Sequence, residues 1–286
     1  MKVLITGASG MLGHRLALEF APVFDVYITQ YQKPVPLPGC RDLWIDITQP
    51  IESSFKPDLV IHTAALTDVD YCQSNPNEAW KVNVTGTHHL LKAFPRAKFI
   101  YISTDFVFDG ADGNYTEADR PRPINVYAQT KYVGELLVPE SGLIVRTCIF
   151  GHNLPGFKES LPEKILRKLG ANEPVSLFDD LYSTPIYTGS LAALLLGAVA
   201  SDLSGVWNIA GSQRVSKYQF GVMIADLFGL DSTLLSADQA LTFPFKAERP
   251  RDVSLNTAKI SKTAGLIAPD LRQSLVVFKE DRNQWK

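Results

Sequence analysis

Short apolar runs alternate with helix-like segments through the first half of the chain. Residues 2–6 form the first run, and others follow at 26–30, 59–61, 98–102 and 143–145. Such runs, rich in β-branched residues, are typical of parallel strands that are buried on both faces of a sheet. Because helical patterns separate them, the sequence predicts an α/β fold. We expect a doubly wound parallel sheet of the Rossmann type, with helices on both faces.

The pattern loosens beyond about residue 150. Gly, Pro and Asn gather at residues 152–157, and further loop-like sequence follows at 178–185. At 286 residues the chain has room for one or two domains. We predict that residues 1–150 form a dinucleotide-binding domain, to which some later elements return. Residues 151–286 are expected to form mainly a smaller, C-terminal substrate-binding domain.

Other apolar and aromatic segments add further expectations. Residues 78–94 predict a helix that ends at Pro95. The apolar run at residues 206–209 is expected to support the smaller domain. Three tryptophans fall within apolar segments, so we expect them in the core: Trp44, Trp80 and Trp207.

A glycine-rich turn follows the first predicted strand. Its glycines stand in G-x-x-G-x-x-G spacing, and an apolar helical pattern comes after them. Glycines permit a tight turn, close approach of the backbone to a pyrophosphate, and close packing of the helix on the strand. The start of that helix offers free N–H groups and the positive end of its dipole. The turn therefore predicts a dinucleotide site formed by Gly7, Ser9, Gly10, Met11, Leu12 and Gly13.

The second predicted strand bears on the choice of cofactor. An acidic residue at its end would bind the ribose 2′-hydroxyl of NAD, but no Asp or Glu closes residues 26–30. Three cations stand nearby in the sequence: Arg15, Lys33 and Arg41. These observations favour NADP, bound as NADPH, with NAD as the alternative. Asp46, which ends another apolar run, is a candidate contact to the adenine, with a plain surface position as the alternative. The adjacent Ile47 is also expected to contact the cofactor.

A second set of residues suits proton transfer. Residues 98–102 predict a core strand that delivers Thr104 at its C-terminal end, where open α/β sheets bind ligands. Tyr127 and Lys131 are four residues apart, so one face of a helix can carry both. A neighbouring ammonium lowers the pKa of a phenol from its reference value of about 10, which would let Tyr127 act as an acid or base. We predict that Thr104, Tyr127 and Lys131 are catalytic, with Asn125 steadying Lys131 through a water.

These motifs carry a resemblance to a known family. The chain is similar to extended short-chain dehydrogenases/reductases, and within that group it resembles the dTDP-4-dehydrorhamnose reductases over nearly its whole length. The most family-specific part is the run Ser103-Thr104-Asp105-Phe106-Val107-Phe108-Asp109-Gly110. The other matching segments are Thr6 to Gly13, His62 to Ala65, Thr67 to Asp70, Asn83 to Thr87, Asn125 to Lys131, Gly134-Glu135, Arg146-Thr147, and Arg249-Pro250 with Leu255.

The resemblance implies an enzyme that reduces the 4-keto group of a nucleotide-linked deoxysugar with NADPH or NADH. It implies cofactor contacts at the glycine turn and at Ala64, Ala65, Tyr127 and Lys131. Substrate contacts are expected at Thr104, Asp105, Phe106 and Ile149. Arg249 and Arg251, on either side of Pro250, are candidates for the substrate diphosphate, because a guanidinium can bind phosphate oxygens in pairs. A salt bridge to Glu248 or Asp252 is the alternative. A homodimer is possible, and no metal site is predicted.

Several positions depart from the family pattern near the expected sugar pocket. Phe106 and Ile149 stand where the family tends to have Tyr and Trp, and Cys148 stands where it tends to have Ser. We therefore expect an apolar patch beside the sugar, suited to a more deoxygenated hexose or a wider substrate range. Arg15 stands near the position of a glutamate that some members link to metal.

Three other functions are weighed against this one. A sugar 4,6-dehydratase would need a glutamate where Phe106 stands, because a phenyl ring cannot shuttle a proton. A nucleotide-sugar epimerase shares the Thr, Tyr and Lys but usually retains NAD tightly, and the missing acid after the second strand weakens that interpretation. The regulatory subunits of methionine adenosyltransferase also resemble this family, so a non-catalytic binding role stays open.

Composition excludes several classes. Hydrophobic content of 45% and charged content of 20% are typical of globular proteins. A net charge of −2, with scattered Lys and Arg, predicts no binding to nucleic acid or to an anionic membrane. Three cysteines without C-x-x-C spacing, and no signal peptide before the first strand, favour a cytoplasmic location. The longest apolar helix is much shorter than the roughly 20 residues of a membrane span.

Overall fold

A computed structural model of the chain describes residues 1–31 and 34–282. Its strands are β1 (Lys2–Thr6), β2 (Asp25–Gln30), β3 (Cys40–Trp44), β4 (Leu59–His62), β5 (Lys98–Ile102), β6 (Leu143–Arg146), β7 (Ile149–Phe150), β8 (Val175–Phe178), β9 (Tyr182–Ser183), β10 (Ile186–Tyr187), β11 (Gly205–Asn208), β12 (Val215–Ser216) and β13 (Leu235–Asp238). Its α-helices are α1 (Met11–Phe20), α2 (Val69–Ser74), α3 (Pro76–Trp80), α4 (Gly86–Ala93), α5 (Val126–Leu137), α6 (Leu161–Gly170), α7 (Thr188–Ala200), α8 (Lys217–Phe228), α9 (Ala258–Ala264) and α10 (Leu271–Asp281). A π-helical turn, Lys81–Thr85, joins α3 to α4, and 3-10 turns lie at Asp105–Val107, Ser232–Leu234 and Ala240–Thr242.

Seven parallel strands form the main sheet, in the order β11-β6-β5-β4-β1-β2-β3. The chain runs outward from β1 to β3 and then returns to the other side of β1 through β4. Ligands bind outside the carboxyl ends of the strands at such a switch point. The strands beside it, β1 and β4, are almost wholly buried, which explains their continuous apolar runs. The predicted doubly wound parallel sheet is confirmed.

Alternate residues of the sheet strands supply two different cores. Val3 and Ile5 pack with residues of α1 and α7 on one face of the sheet. Leu4 packs with Leu90 and Phe94 on the other face. This division follows from the period of two along a strand. A third apolar cluster comes from the second half of the chain, and α6, α8 and α10 contribute most of it.

Some packing expectations are wrong. The run at residues 206–209 does not support the smaller part of the molecule, because β11 pairs with β6 and extends the main sheet. Trp207 is buried there, but Trp44 is 69% exposed on the outermost strand β3, and Trp80 is 39% exposed. An edge strand has one neighbour, so an apolar residue on it need not be covered. The helix predicted at residues 78–94 exists but is interrupted by the π-turn.

No helix within the described part of the chain is long and apolar enough to cross a membrane.

Candidate active site

The glycine turn connects β1 to α1. Gly7 has a φ of +72°, and the Gly10 N–H donates to the Gly7 carbonyl at 2.9 Å. A Cβ atom at Gly13 would lie 2.3 Å from the Gly7 oxygen, so this close approach requires glycine. Gly10 precedes α1 without a side-chain cap, which leaves the first N–H groups of the helix available to an anion. The turn thus fits the pyrophosphate of a dinucleotide.

A cleft of about 530 Å³ extends from this turn across the ends of β2, β3 and β4. Predicted cofactor contacts that line it are Gly7, Ser9, Gly10, Asp46, Ile47, Ala64 and Ala65. Burial raises the pKa of Asp46, but hydrogen bonds from Thr48 outweigh it and the net shift is downward. The cleft therefore contains a carboxylate at the end of β3, with Tyr31 and Lys81 on its walls.

Two of the three cations that favoured NADP in the sequence, Arg15 and Arg41, lie elsewhere. Arg15 pairs with Glu19 and, at 2.9 Å, with Asp281. Arg41 pairs with Asp25 at 3.3 Å, near the opposite end of the strands. Lys33 lies outside the described residues. Among the described residues, Lys81 is the lysine that lines the cleft, and the sequence argument did not select it.

A second cavity, of about 470 Å³, adjoins the same turn. It is lined by all three predicted catalytic residues, Thr104, Tyr127 and Lys131. Five residues of the turn also line it: Gly7, Gly10, Met11, Leu12 and Gly13. Three further predicted substrate contacts complete the set: Asp105, Phe106 and Ile149. Parallel strands end at one edge of the sheet, which is why residues so far apart in the sequence meet here.

Thr104 follows β5, and its hydroxyl is held by local contacts. It accepts from the Phe106 N–H at 3.2 Å and donates to Asp105 Oδ1 at 3.1 Å. Asn125 caps α5 by accepting from the Ala128 N–H at 2.9 Å, and its amide donates to the Glu248 carbonyl at 3.0 Å. Asn125 therefore starts the helix that carries Tyr127, and its contact with Lys131 through a water stays a prediction.

Burial controls the protonation of the catalytic candidates. It lowers the pKa of Lys131 to about 7, although the charge of Glu135 opposes the shift. The Lys131 ammonium lies 4.1 Å from the centre of the Tyr101 ring. Burial also raises the pKa of Tyr127, and a hydrogen bond with Thr104 only partly opposes this. The expected lowering of the Tyr127 pKa is therefore wrong, and the phenol is neutral at physiological pH.

The sequence argument missed a buried ion pair beneath these residues. Arg146 binds the Glu135 carboxylate through two nitrogens, at 2.8 and 3.0 Å, and both side chains are almost fully buried. The Ser103 hydroxyl donates to the same carboxylate at 2.5 Å. Glu135 thereby links the end of β5, beside Thr104, to the helix of Tyr127 and Lys131. The motif Gly134-Glu135 and the pair Arg146-Thr147 were visible in the sequence, but not their contact.

A buried polar network connects the glycine turn to α5. His62 hydrogen-bonds Thr6 at 2.8 Å and Thr87 at 3.0 Å through its two ring nitrogens. Burial, together with the Lys131 charge, lowers the pKa of His62 to about 3, so the imidazole is neutral. In the π-turn, Asn83 donates to the Thr130 hydroxyl at 2.9 Å. The π-turn thus places a polar side chain against the catalytic helix.

A third cavity, of about 280 Å³, extends from Asp105 and Phe106 toward the second half of the chain. Most of its walls are apolar, and they include Ile149, Phe150 and Phe220. Burial raises the pKa of Asp105 to about 7, although hydrogen bonds with Thr104 and Cys148 oppose the shift. Phe106 and Ile149 lie where an apolar patch beside a sugar was expected. We call this space the sugar cavity.

Arg249 lies apart from both cavities that Asp105 lines. It lines a neighbouring cleft of about 450 Å³ together with Arg251. Its guanidinium pairs with Asp70 at 2.9 Å and donates to the Ala247 carbonyl at 3.0 Å. Its role as a substrate ligand stays a prediction, because two of its contacts are already made within the protein.

No group of three or more His, Cys, Asp or Glu residues within 1–31 and 34–282 is arranged to hold a metal ion. Where a metal-linked glutamate would fall in some family members, the Arg15 guanidinium lies between two carboxylates.

Comparison with known proteins identifies the family. The family model of the RmlD substrate binding domain matches residues 1–283. The chain belongs to this family. The resemblance to dTDP-4-dehydrorhamnose reductases is confirmed, since proteins of that name are among the RmlD-family relatives and solved structures that match nearly the full length.

Three matches illustrate the range of relatives. A probable low-salt glycan biosynthesis reductase, Agl14 of Haloferax volcanii, is 31% identical over 97% of each chain. Methionine adenosyltransferase 2 subunit beta of Mus musculus is 27% identical, covering 100% of this chain and 90% of that protein. The dTDP-4-dehydrorhamnose reductase of Bacillus anthracis, solved in complex with NADP, has a TM-score of 0.86 and is 26% identical, covering 98% of this chain and 99% of that one.

Proposed function

We propose that the protein reduces the 4-keto group of a nucleotide-linked deoxysugar with NADPH or NADH. One observation carries this proposal: Thr104, Tyr127 and Lys131 line a single cavity with the glycine turn. An arrangement that only bound a partner protein would not require a phenol, a lysine and a hydroxyl at the edge of a dinucleotide cleft. The family relationship supports the same reaction class.

The side chains of the cavity supply the proton chemistry. A bound NADPH or NADH would supply the hydride that reduces the C4 carbonyl carbon. The Tyr127 phenol, neutral at physiological pH, donates a proton to the carbonyl oxygen, so that the carbonyl becomes an alcohol. The Thr104 hydroxyl lies beside it and orients that oxygen. Lys131, whose pKa of about 7 leaves it partly charged, would contact the bound cofactor, and its charged form would stabilise the phenolate that remains.

NADPH is the cofactor that we propose first. The end of β2 carries Thr29 and Gln30 and no carboxylate, and Lys81 lines the cleft. Asp46, also in the cleft, opposes a 2′-phosphate, so the preference is expected to be modest. Calorimetric titration with both cofactors tests this. Lys81→Met is expected to weaken NADPH binding and leave NADH binding unchanged, and equal affinities in the unaltered protein would contradict the preference.

The sugar is proposed to be more deoxygenated, or more variable, than the rhamnose precursor. The apolar side chains of Phe106 and Ile149 support this, because apolar walls discriminate weakly, by about 10–200-fold per methylene. The decisive experiment follows NADPH oxidation with a panel of 4-keto nucleotide sugars. A preference of about a hundredfold for the fully hydroxylated rhamnose precursor would contradict the sugar assignment. If no member of the panel supported NADPH oxidation, the proposed reductase activity would be contradicted.

A non-catalytic binding role is the second candidate. It is supported by the similarity to methionine adenosyltransferase 2 subunit beta over the whole chain. Co-purification with a methionine adenosyltransferase, together with no NADPH oxidation on the panel, would favour it. Turnover that is lost in Tyr127→Phe would exclude a purely structural role.

A further inference from the structure

The sugar cavity contains a lysine that the sequence argument did not consider. Lys217 is the first residue of α8, and its side chain lines the cavity with Asp105 and Cys148. The residue is exposed, and it lies where both halves of the chain contribute walls to this cavity. Within residues 1–31 and 34–282, it makes no ion pair.

The surroundings of Lys217 do not favour its charge. Desolvation lowers its pKa, as does the positive charge of Arg249, while Cys148 and Asp105 act in the opposite direction. Their help is limited at neutral pH, because burial raises the pKa of Asp105 to about 7 and raises that of Cys148 well above its usual value. The first turn of α8 also places the positive end of a helix dipole beside the ammonium. A lysine in this position is stabilised when an anion enters the cavity.

A second cation lies on the far side of the cavity wall. Pro250 lines the sugar cavity, and the adjacent Arg251 lines the neighbouring cleft, which shares Leu181 with the cavity. Among the described residues, Arg251 has no ion-pair partner. Arg249 lines the same cleft but is held by Asp70. Among the described residues, the cations of these two spaces without an ion-pair partner are therefore Lys217 in the cavity and Arg251 in the cleft.

We propose that Lys217 binds an anionic oxygen of the substrate, either on the diphosphate of a nucleotide sugar or on a carboxylate of the sugar. The inference rests on the proposed function, since it concerns the substrate of that site. It assigns to Lys217 the contact that the sequence argument gave to Arg249. The cavity is otherwise mostly apolar, so a single charge-assisted hydrogen bond from Lys217 would contribute strongly to binding.

Binding of three ligands to the full-length protein, measured by calorimetry at saturating NADP, tests the proposal and separates the two anions. The ligands are dTDP, UDP-glucose and UDP-glucuronate. Lys217→Met is compared with Lys262→Met, which removes the same charge from the exposed surface of α9. If Lys217 binds the diphosphate, Lys217→Met weakens all three ligands by about 10- to 100-fold. If it binds a sugar carboxylate, only UDP-glucuronate is weakened, by the same factor.

One further variant and a folding control keep the result clear. Lys217→Arg retains the charge and is expected to restore most of the affinity, and a melting curve of Lys217→Met checks that the variant is folded. Equal affinities of Lys217→Met and Lys262→Met for all three ligands would overturn the Lys217 inference and leave the proposed function standing. If the unaltered protein bound none of the three, both proposals would fall.

Discussion

Lys131 and Tyr127 lie one helical turn apart on α5, where proximity alone predicts that the ammonium lowers the pKa of the phenol. Only 4% of Lys131 is exposed, however, and its ammonium lies against the Tyr101 ring rather than in water. Burial then lowers the pKa of Lys131 and raises that of Tyr127. The sequence could place the two residues on one helix face, but it could not give the burial that decides their charges.

Asp105 provides a prediction on pH and stability. Its pKa is about 7 in the folded protein and 3.8 in the absence of burial, so the folded chain holds an extra proton between these values. Stability contributed by this group therefore falls as the pH rises from about 4 to 7. Asp105→Asn removes the effect. Between pH 5 and pH 8 this group should lower the free energy of unfolding of the unaltered protein by about 3 kcal/mol. Asp105→Asn should not show this loss, so its stability relative to the unaltered protein should rise by the same amount.

The measurement is urea denaturation at both pH values. Asp112→Asn, which removes an exposed carboxylate from a nearby loop, is the control. It is expected to leave the free energy of unfolding unchanged at both pH 5 and pH 8. An equal change in stability at pH 5 and pH 8 for Asp105→Asn would contradict the pKa shift.

Several elements could be predicted from the apolar pattern because their burial is uniform. The strands β1, β4, β5 and β6 are covered on both faces, so the middle of each strand is a continuous apolar run. The edge strand β3 breaks this rule and exposes Trp44. The π-turn at Lys81–Thr85 could not be predicted from the sequence either, because its hydrogen bonds to Leu66 and Thr130 depend on tertiary contacts.

The turn between β1 and α1 allows a matched pair of glycine substitutions. Gly13→Ala would place a methyl group 2.3 Å from the Gly7 oxygen, so we expect a loss of about 1–3 kcal/mol and at least tenfold weaker NADPH binding. Gly170→Ala, near the end of α6, meets nothing within 4 Å. It is expected to be neutral or to stabilise by up to about 1 kcal/mol. Thermal unfolding and cofactor titration check both variants. Tight NADPH binding by Gly13→Ala would contradict the proposal that this turn binds the pyrophosphate of the cofactor.

The ion pair between β6 and α5 makes a prediction about the helix that carries the catalytic candidates. Glu135→Gln leaves the buried Arg146 guanidinium uncompensated, which typically costs about 3–5 kcal/mol. Because Ser103 also loses a charged acceptor, we expect turnover to fall while the protein still binds NADPH.

Glu140→Gln is the control, since Glu140 is exposed just beyond the same helix. Replacing both partners, Glu135→Leu with Arg146→Met, is expected to recover part of the stability, because no charge is then left unpaired. A double variant that is as unstable as the sum of the two single changes would contradict this account.

At the scale of the whole molecule, the sheet brings the glycine turn and the catalytic candidates to one edge. That part of the site could be inferred from the order of strands and motifs along the chain. The sugar cavity could not, because its walls come from β7, β12, α8 and the loops near Leu181 and Pro250, which have no regular pattern. The ion pair between Arg249 and Asp70, which are 179 residues apart, could not be inferred from the sequence either.

The central claim is that this edge of the sheet carries a reductase whose acid is Tyr127. It is tested most directly by turnover of a 4-keto nucleotide sugar by Tyr127→Phe, with the NADPH dissociation constant measured on the same samples. The variant keeps the ring beside Phe106 and removes only the proton. We predict a fall in turnover of about 10²–10⁴-fold with nearly unchanged NADPH affinity. Turnover within about threefold of the unaltered protein, where a general acid should contribute at least about a hundredfold, would contradict the claim.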